Sequence, residues 1–238
     1  AIEFRAVVKH RSIRTHKPKV IVGGFGAWQL ERRKVAERYG VDCVVIGEGE
    51  QTMLELVRAV QDGTSLANVK GIAFKEKSKV EVTRPRDFIK DLDSIAFPLR
   101  EFFNHRAYMR YFKEKFRYTE TSVITSRGCP FSCDFCSRPV FGNSFRTRSP
   151  SNIVDEVESI VSFGYDRVWF ADDCFTLNRA HLIGVCDELT RRGVDVGWEC
   201  LSRVDTVDRE VARKMRQAGC VRIFFGVESG NNAVLAWM

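Results

Sequence analysis

Apolar residues in this chain come in short runs that alternate with longer stretches whose apolar positions recur every three or four residues. Short runs suit buried strands and the longer period suits amphipathic helices, so the pattern predicts an α/β protein. "PKVIVGG" (18–24) reads as a strand ending in a glycine turn, with a helix over 28–39 and Gly40 beyond it. "VDCVVIGEGEQTMLELVRAV" predicts a strand at 42–46, a Gly-Glu-Gly turn and a helix to about residue 61, the two strands running parallel. Residues 69–83 suggest a hairpin around a charged turn. Residues 84–120 mix charge and aromatics without a clear period and read as a linker packed on its neighbours.

A second alternation follows. Strands are predicted at 122–126, 167–171, 196–201 and 221–227. The first helix between them opens at Ser149 with Pro150 in its first turn and runs to Phe163 before Gly164; the second runs from Asn178 to Gly193. A third, from about Thr206, presents Val207, Val211 and Met215 and stops at Gly219. Regular βα units of this size mark an α/β barrel or its open relative. The first unit is longer than the rest because it holds "RGCPFSCDFC" (127–136), whose thiols fall just past the C-terminal end of the first strand, the edge where such folds keep their active sites. Residues 1–62 supply too few strands for a doubly wound sheet, and the chain stops inside the fourth helix of the barrel series. We therefore expect it to be cut short at both ends.

Composition narrows this picture. At 238 residues, 44% of them hydrophobic, the chain can bury one large or two modest cores. It has no apolar run of membrane-spanning length and no secretory signal, which predicts a cytoplasmic protein with no membrane span. The net charge of +7 is interleaved with acids and does not argue for nucleic acid, which is not expected as a partner. Of eight cysteines, Cys43, Cys174, Cys186, Cys200 and Cys220 stand apart and read as small core residues, whereas Cys129, Cys133 and Cys136 cluster. A structural zinc site wants four ligands, so one would have to come from elsewhere. A four-iron cluster on three thiolates leaves one iron open to a substrate. A zinc-stabilised nucleic-acid-binding module stays open as the alternative.

The cysteine loop, with Phe135 before its last cysteine, resembles the cluster motif of the radical S-adenosylmethionine (radical SAM) superfamily. "FRTRSPSNIVDEVESIVSFG", "VWFADDCFTLN", "WECLSRVD", "MRQAGC" and "IFFGVESGN" follow in the order seen in members with an N-terminal cobalamin-binding domain. "VIVGGFGA" and "DCVVIGEGEQTMLELV" are similar to the second half of that domain. The resemblance implies the C-terminal half of a Rossmann-like cobalamin-binding domain at 1–83, a linker at 84–120, and the first four βα units of a partial (β/α)6 radical SAM barrel at 121–238. It further implies that Cys129, Cys133 and Cys136 bind a [4Fe-4S] cluster whose open iron chelates SAM, and that one electron cleaves SAM to methionine and a 5′-deoxyadenosyl radical.

By the same resemblance, Phe135 lies beside the cluster and the adenine. Asp172 and Asp173 are candidates for the SAM amino group, Ser202 and Arg203 for its carboxylate, and Glu228 with Ser229 for the ribose or amino acid. Gly23, Gly24, Gly47, Glu48 and Gly49 are the candidate cobalamin contacts, although the Asp-x-His-x-x-Gly motif that supplies a lower cobalt ligand in some relatives is absent. The implied reaction is cobalamin-dependent methylation of an unactivated carbon in a small-molecule or natural-product substrate, with a flavodoxin or ferredoxin as electron donor. Cyclisation or rearrangement by the same class, and methylthiolation of tRNA, are the enzymatic alternatives. Against the last, Cys43 is the sole cysteine before the loop, where that group carries three.

Overall fold

The computed structural model describes residues 5–8, 19–22, 41–76, 79–136 and 141–237. Two compact units make up the chain, one of Ala1–Ile89 with Arg138–Phe141 and one of Lys90–Ser137 with Gly142–Met238. The segment 84–120, read from sequence as a linker, is thus divided after Ile89 between the two.

The first unit carries a five-stranded sheet. Its strands are β1 (Arg5–Val8), β2 (Lys19–Val22), β3 (Cys43–Val45), then after helix α1 (Glu50–Asp62) β4 (Ile72–Glu76) and β5 (Lys79–Val82), side by side in that order. β2 and β3 are parallel, as the apolar runs predict; β1 lies antiparallel to β2, and the β4–β5 hairpin adds antiparallel to β3. α1 buries Leu56 and Ala59 against Cys43, Val45 and Ile72. It ends at Gly63, whose φ of 67° few side chains would tolerate. The helix expected at 28–39 lies outside the described residues.

In the second unit, α2 (His105–Phe116) occupies the stretch without an evident period. Asn104 caps it by accepting the Ala107 N–H at 3.1 Å, and His105 stacks on Phe163 with ring centroids 4.4 Å apart. The strands and helices that follow are β6 (Glu120–Val123), the short pair β7 (Ser126–Arg127) and β8 (Arg146–Thr147), α3 (Pro150–Ser162), β9 (Arg167–Phe170), α4 (Arg179–Arg192), β10 (Gly197–Arg203), α5 (Arg209–Gln217), β11 (Cys220–Gly226) and α6 (Asn232–Trp237). β6, β9, β10 and β11 form an all-parallel sheet in chain order.

The predicted caps recur in the helices. Ser149 accepts from the Asn152 N–H, Asn178 from the His181 N–H, and Gly193 closes α4 at φ 63°. α5 begins later than the expected Thr206. Asp208 takes the cap by accepting the Val211 N–H at 2.8 Å, while the Thr206 hydroxyl turns back to the Arg203 carbonyl.

One face of the parallel sheet is shut. Val123, Val168, Phe170, Trp198 and Cys200 pack against Ile153 and Val157 of α3, Val185 of α4 and Met215 of α5. The five isolated cysteines are all buried, and burial pushes the thiols of Cys186 and Cys220 up to about 12 and about 11 respectively. All five pack as small core residues.

The free edge of β6 is covered by side chains. Arg100 donates to the Ser122 carbonyl at 2.9 Å and Arg148 to the Ile124 carbonyl at 3.0 Å. Glu156, buried on α3, clamps both guanidinium groups at 2.6 and 2.5 Å. Unpaired strand carbonyls are thereby satisfied and a pairing edge is blocked.

Candidate active site

The cysteine loop leaves β6 at its carboxyl end. Its stem is built before the first thiol: β7 pairs with β8, the Arg148 N–H donates to the Thr125 carbonyl at 2.9 Å, and the Cys129 N–H donates to the Gly142 carbonyl at 3.3 Å. Gly128 sits at φ 84°, and a Cβ there would come within 2.3 Å of the Ser144 carbonyl oxygen. Only glycine fits where the loop's two arms pass this close.

Beyond the stem, the Cys136 N–H donates to the Cys133 carbonyl at 3.1 Å, so the second and third cysteines share one turn. Cys129 and Cys133 are half-buried and Cys136 is exposed. Burial raises the Cys129 thiol above its ordinary range, opposed by the Phe131 N–H and reinforced by the nearby carboxylate of Asp173. Among the described residues no group of three His, Cys, Asp or Glu side chains is gathered closely enough to hold a single metal ion. A zinc ion needs its thiolates drawn to about 2.3 Å from one centre, whereas an iron–sulfur cluster takes them at separate irons. Three thiolates can serve three irons of such a cluster, while a lone zinc ion would want a fourth ligand from elsewhere.

The neighbouring strand ends sort the remaining candidates. Asp173 is exposed and acts on Cys129 through space. Asp172 faces the opposite way and is 2% exposed. Its Oδ1 accepts the N–H groups of Thr125 at 2.6 Å and Ser126 at 3.1 Å, and its Oδ2 accepts the Ser126 hydroxyl at 2.8 Å and the Thr125 hydroxyl. Burial raises its pKa and these four bonds pull it back. With both oxygens occupied inside the unit, Asp172 is withdrawn as a contact for the SAM amino group.

Ser202 is enclosed in the same way. It is buried, and its hydroxyl bonds Thr176 at 2.7 Å, Thr206 at 3.2 Å and the Arg203 carbonyl at 2.9 Å. Arg203 lies against the loop, its guanidinium 4.0 Å from the centroid of the Phe131 ring and held by both oxygens of Asp205 at 3.0 and 2.8 Å. Those bonds raise its pKa.

Glu228 is exposed rather than buried and paired, and its φ of 60° is unusual for a side chain larger than Asn. Its Oε1 lies 2.6 Å from where a Cβ on Gly226 would be, so the carboxylate folds back over the end of β11. The Ser229 hydroxyl accepts the Asn231 N–H at 3.0 Å. Phe135 is 54% exposed on the loop. Phe131 and Asp205 were not among the residues singled out from sequence. Phe131 lay in the same loop, but nothing in a linear reading ties it to an arginine on another strand.

In the first unit, Gly47 adopts φ 79°, and Gly49 precedes α1 without a side-chain cap. Glu48 is 5% exposed and its Oε2 accepts the Ile89 N–H at 2.6 Å, so its carboxylate ties down the end of that unit instead of standing open to a cofactor. Gly23 and Gly24 lie outside the described residues. No helix among the described residues is long and apolar enough to cross a membrane.

The sequence model of the Radical SAM superfamily matches residues 123–238. An uncharacterized methyltransferase of Pyrococcus horikoshii is 34% identical over 224 residues, 92% of this chain and 47% of that protein. The anaerobic magnesium-protoporphyrin IX monomethyl ester cyclase of Cereibacter sphaeroides is 33% identical over 217 residues, 88% of this chain and 35% of the enzyme. Among solved structures, the radical S-adenosylmethionine methyltransferase TsrM of Kitasatospora setae, bound to tryptophan substrate and a SAM analog, superposes with a TM-score of 0.76 at 21% identity, covering 91% of this chain and 43% of TsrM. TsrM has also been solved with cobalamin and a [4Fe-4S] cluster. The chain spans less than half the length of each of these proteins.

Proposed function

The chain belongs to the radical SAM superfamily, and on that premise we propose that residues 121–238 are the first four βα units of a partial (β/α)6 barrel, 84–120 a connecting segment, and 1–83 the C-terminal half of a Rossmann-like cobalamin-binding domain. The protein is an enzyme whose Cys129, Cys133 and Cys136 hold a [4Fe-4S] cluster. Bound there, the cluster and SAM supply one-electron cleavage of SAM to methionine and a 5′-deoxyadenosyl radical.

The chain's own residues orient that chemistry. Asp173, exposed beside Cys129, takes the SAM ammonium. Arg203, its plane fixed by Asp205 and Phe131, takes the carboxylate. Glu228 and Ser229 serve the ribose side and Phe135 lays its ring beside the adenine. Backbone at Gly47 and Gly49 lines the cobalamin. The observation that carries this reading is the meeting of three things at one carboxyl sheet edge: the three-thiol turn, Asp173 acting on Cys129, and Arg203 stacked on Phe131.

The reaction we propose is radical methylation of an unactivated carbon in a small molecule or natural product. It runs in the cytoplasm without oxygen, with a flavodoxin- or ferredoxin-type protein giving the electron. Ring closure is the second reading, favoured by the similarity to the cyclase. The test is anaerobic purification, reconstitution with iron and sulfide, and measurement of bound iron, sulfide and zinc for the wild type and Cys133→Ala. About four irons and four sulfides per chain, expected for a cubane and lost in the variant, support the reading. Zinc without sulfide overturns it.

A further inference from the structure

Two adjacent acids end β9, and they do different work. Asp173 is exposed toward the thiols, while Asp172 turns inward and receives four hydrogen bonds from Thr125 and Ser126, the residues that lead from β6 into the cysteine loop. Thr125 is 0% and Ser126 6% exposed, so these donors have no water to fall back on. Neighbouring bonds fix the same stem: the Ala171 N–H donates to the Val123 carbonyl at 2.8 Å, and Ser126 is paired with Thr147 across β7 and β8.

We infer that Asp172 is a positioning residue for the cysteine loop: a buried carboxylate that locks the stem so that Cys129 emerges at a fixed place beside Asp173. Four donors converging on one carboxylate from two consecutive residues define both the direction and the twist of the chain at that point. Charged acceptors make stronger bonds than neutral ones, and in a buried setting their loss leaves two N–H groups and two hydroxyls unsatisfied together. The inference deepens the functional reading above and rests on it only for what the loop is for.

The experiment compares amide hydrogen exchange in the cluster-free full chain for wild type, Asp172→Ala, Asp172→Asn, Thr125→Val/Ser126→Ala and Asp173→Ala. Asp172→Ala should speed exchange across residues 125–136 by tenfold or more while amides of β10 keep their protection, and the double variant should do the same. Asp172→Asn should retain most of the protection, because its amide oxygen still accepts the two N–H groups and its NH₂ can donate to the hydroxyls. Asp173→Ala should leave exchange unchanged. Unaltered exchange in Asp172→Ala overturns the inference, and so does an equal rise throughout the unit, which would make Asp172 a general stabiliser. Reconstituted iron and the spectrum of the reduced cluster, read on the same proteins, are expected to fall with Asp172→Ala and recover with Asp172→Asn. A wild type that takes up no iron and sulfide refutes the functional reading while the exchange data still decide the role of Asp172.

Discussion

On one face of the parallel sheet, Val123, Val168, Phe170 and Trp198 are closed off beneath α3, α4 and α5; on the other, Glu120, Arg167, Trp169, Glu199, Leu201 and Arg222 stand on the same four strands. Parallel sheets are commonly apolar on both sides, and their strands then read as unbroken apolar runs. Here "RVWF" and "GWECLSR" alternate instead, every second residue turning to the polar face. The difference teaches that cohesion is concentrated on the helix side, which frees the other side to carry charge and to deliver Arg203 to the cysteine loop.

The polar face has an electrostatic arrangement of its own. Glu120 and Glu199 are hydrogen-bonded carboxyls, flanked by Arg167 and Arg222, and burial together with Glu199 lifts Glu120 to about 8. Oε2 of each acid is buried without another hydrogen-bond partner, although Arg222 approaches Glu199 within 3.2 Å. Arg222 therefore contributes charge to the pair and not a hydrogen bond.

The sharpest break of the contrast is Trp198→Ala. Trp198 is fully buried and its Nε1–H donates to the Ala218 carbonyl at 2.7 Å, so we expect a loss of about 3–5 kcal/mol in the urea unfolding of the second unit. Trp169→Ala, one residue position along from Phe170 but on the polar face, should cost less than half of that; equal costs would erase the distinction. Next, Glu156→Ala strands Arg100 and Arg148 at the sheet edge, and roughly 3 kcal/mol should be lost in the same assay.

A smaller effect belongs to the acid pair. Because Glu120 holds its proton more tightly when folded than unfolded, its stabilising contribution is complete below the ordinary carboxyl range, declines as pH rises from about 4.5 and is gone above about 8. Urea midpoints across that window should slope downward in the wild type and flatten in Glu120→Gln. The smallest change is expected from Arg179→Ala. Its exposed pairs with Asp208 and Glu210 are on the solvent side, and the melting temperature should not move measurably.

Much of this architecture could be read from the chain alone. The strands of the parallel sheet, the caps at Ser149 and Asn178, the stop at Gly193 and the exit of the cysteine loop at a strand's end all follow from local signals. α2 escaped because aromatic and basic residues fill nearly every side of it, and what fixes it is the distant stack of His105 on Phe163. Asp172 and Asp173 could not be told apart, since adjacent residues point to opposite sides and only the neighbouring strand decides which one is enclosed. The partners of Glu48 and Ser202 were hidden for a related reason: a polar residue at a strand's end can face outward or satisfy the backbone, and sequence is silent on its partner.

The sheet's spatial order has a consequence for how the protein is made. β6, β9, β10 and β11 stand side by side in the order in which they are synthesised. At about 5–20 residues per second, a ribosome delivers each strand after its neighbour is already out. Each strand after β6 meets an edge already made, so the sheet can be assembled during translation from one end to the other.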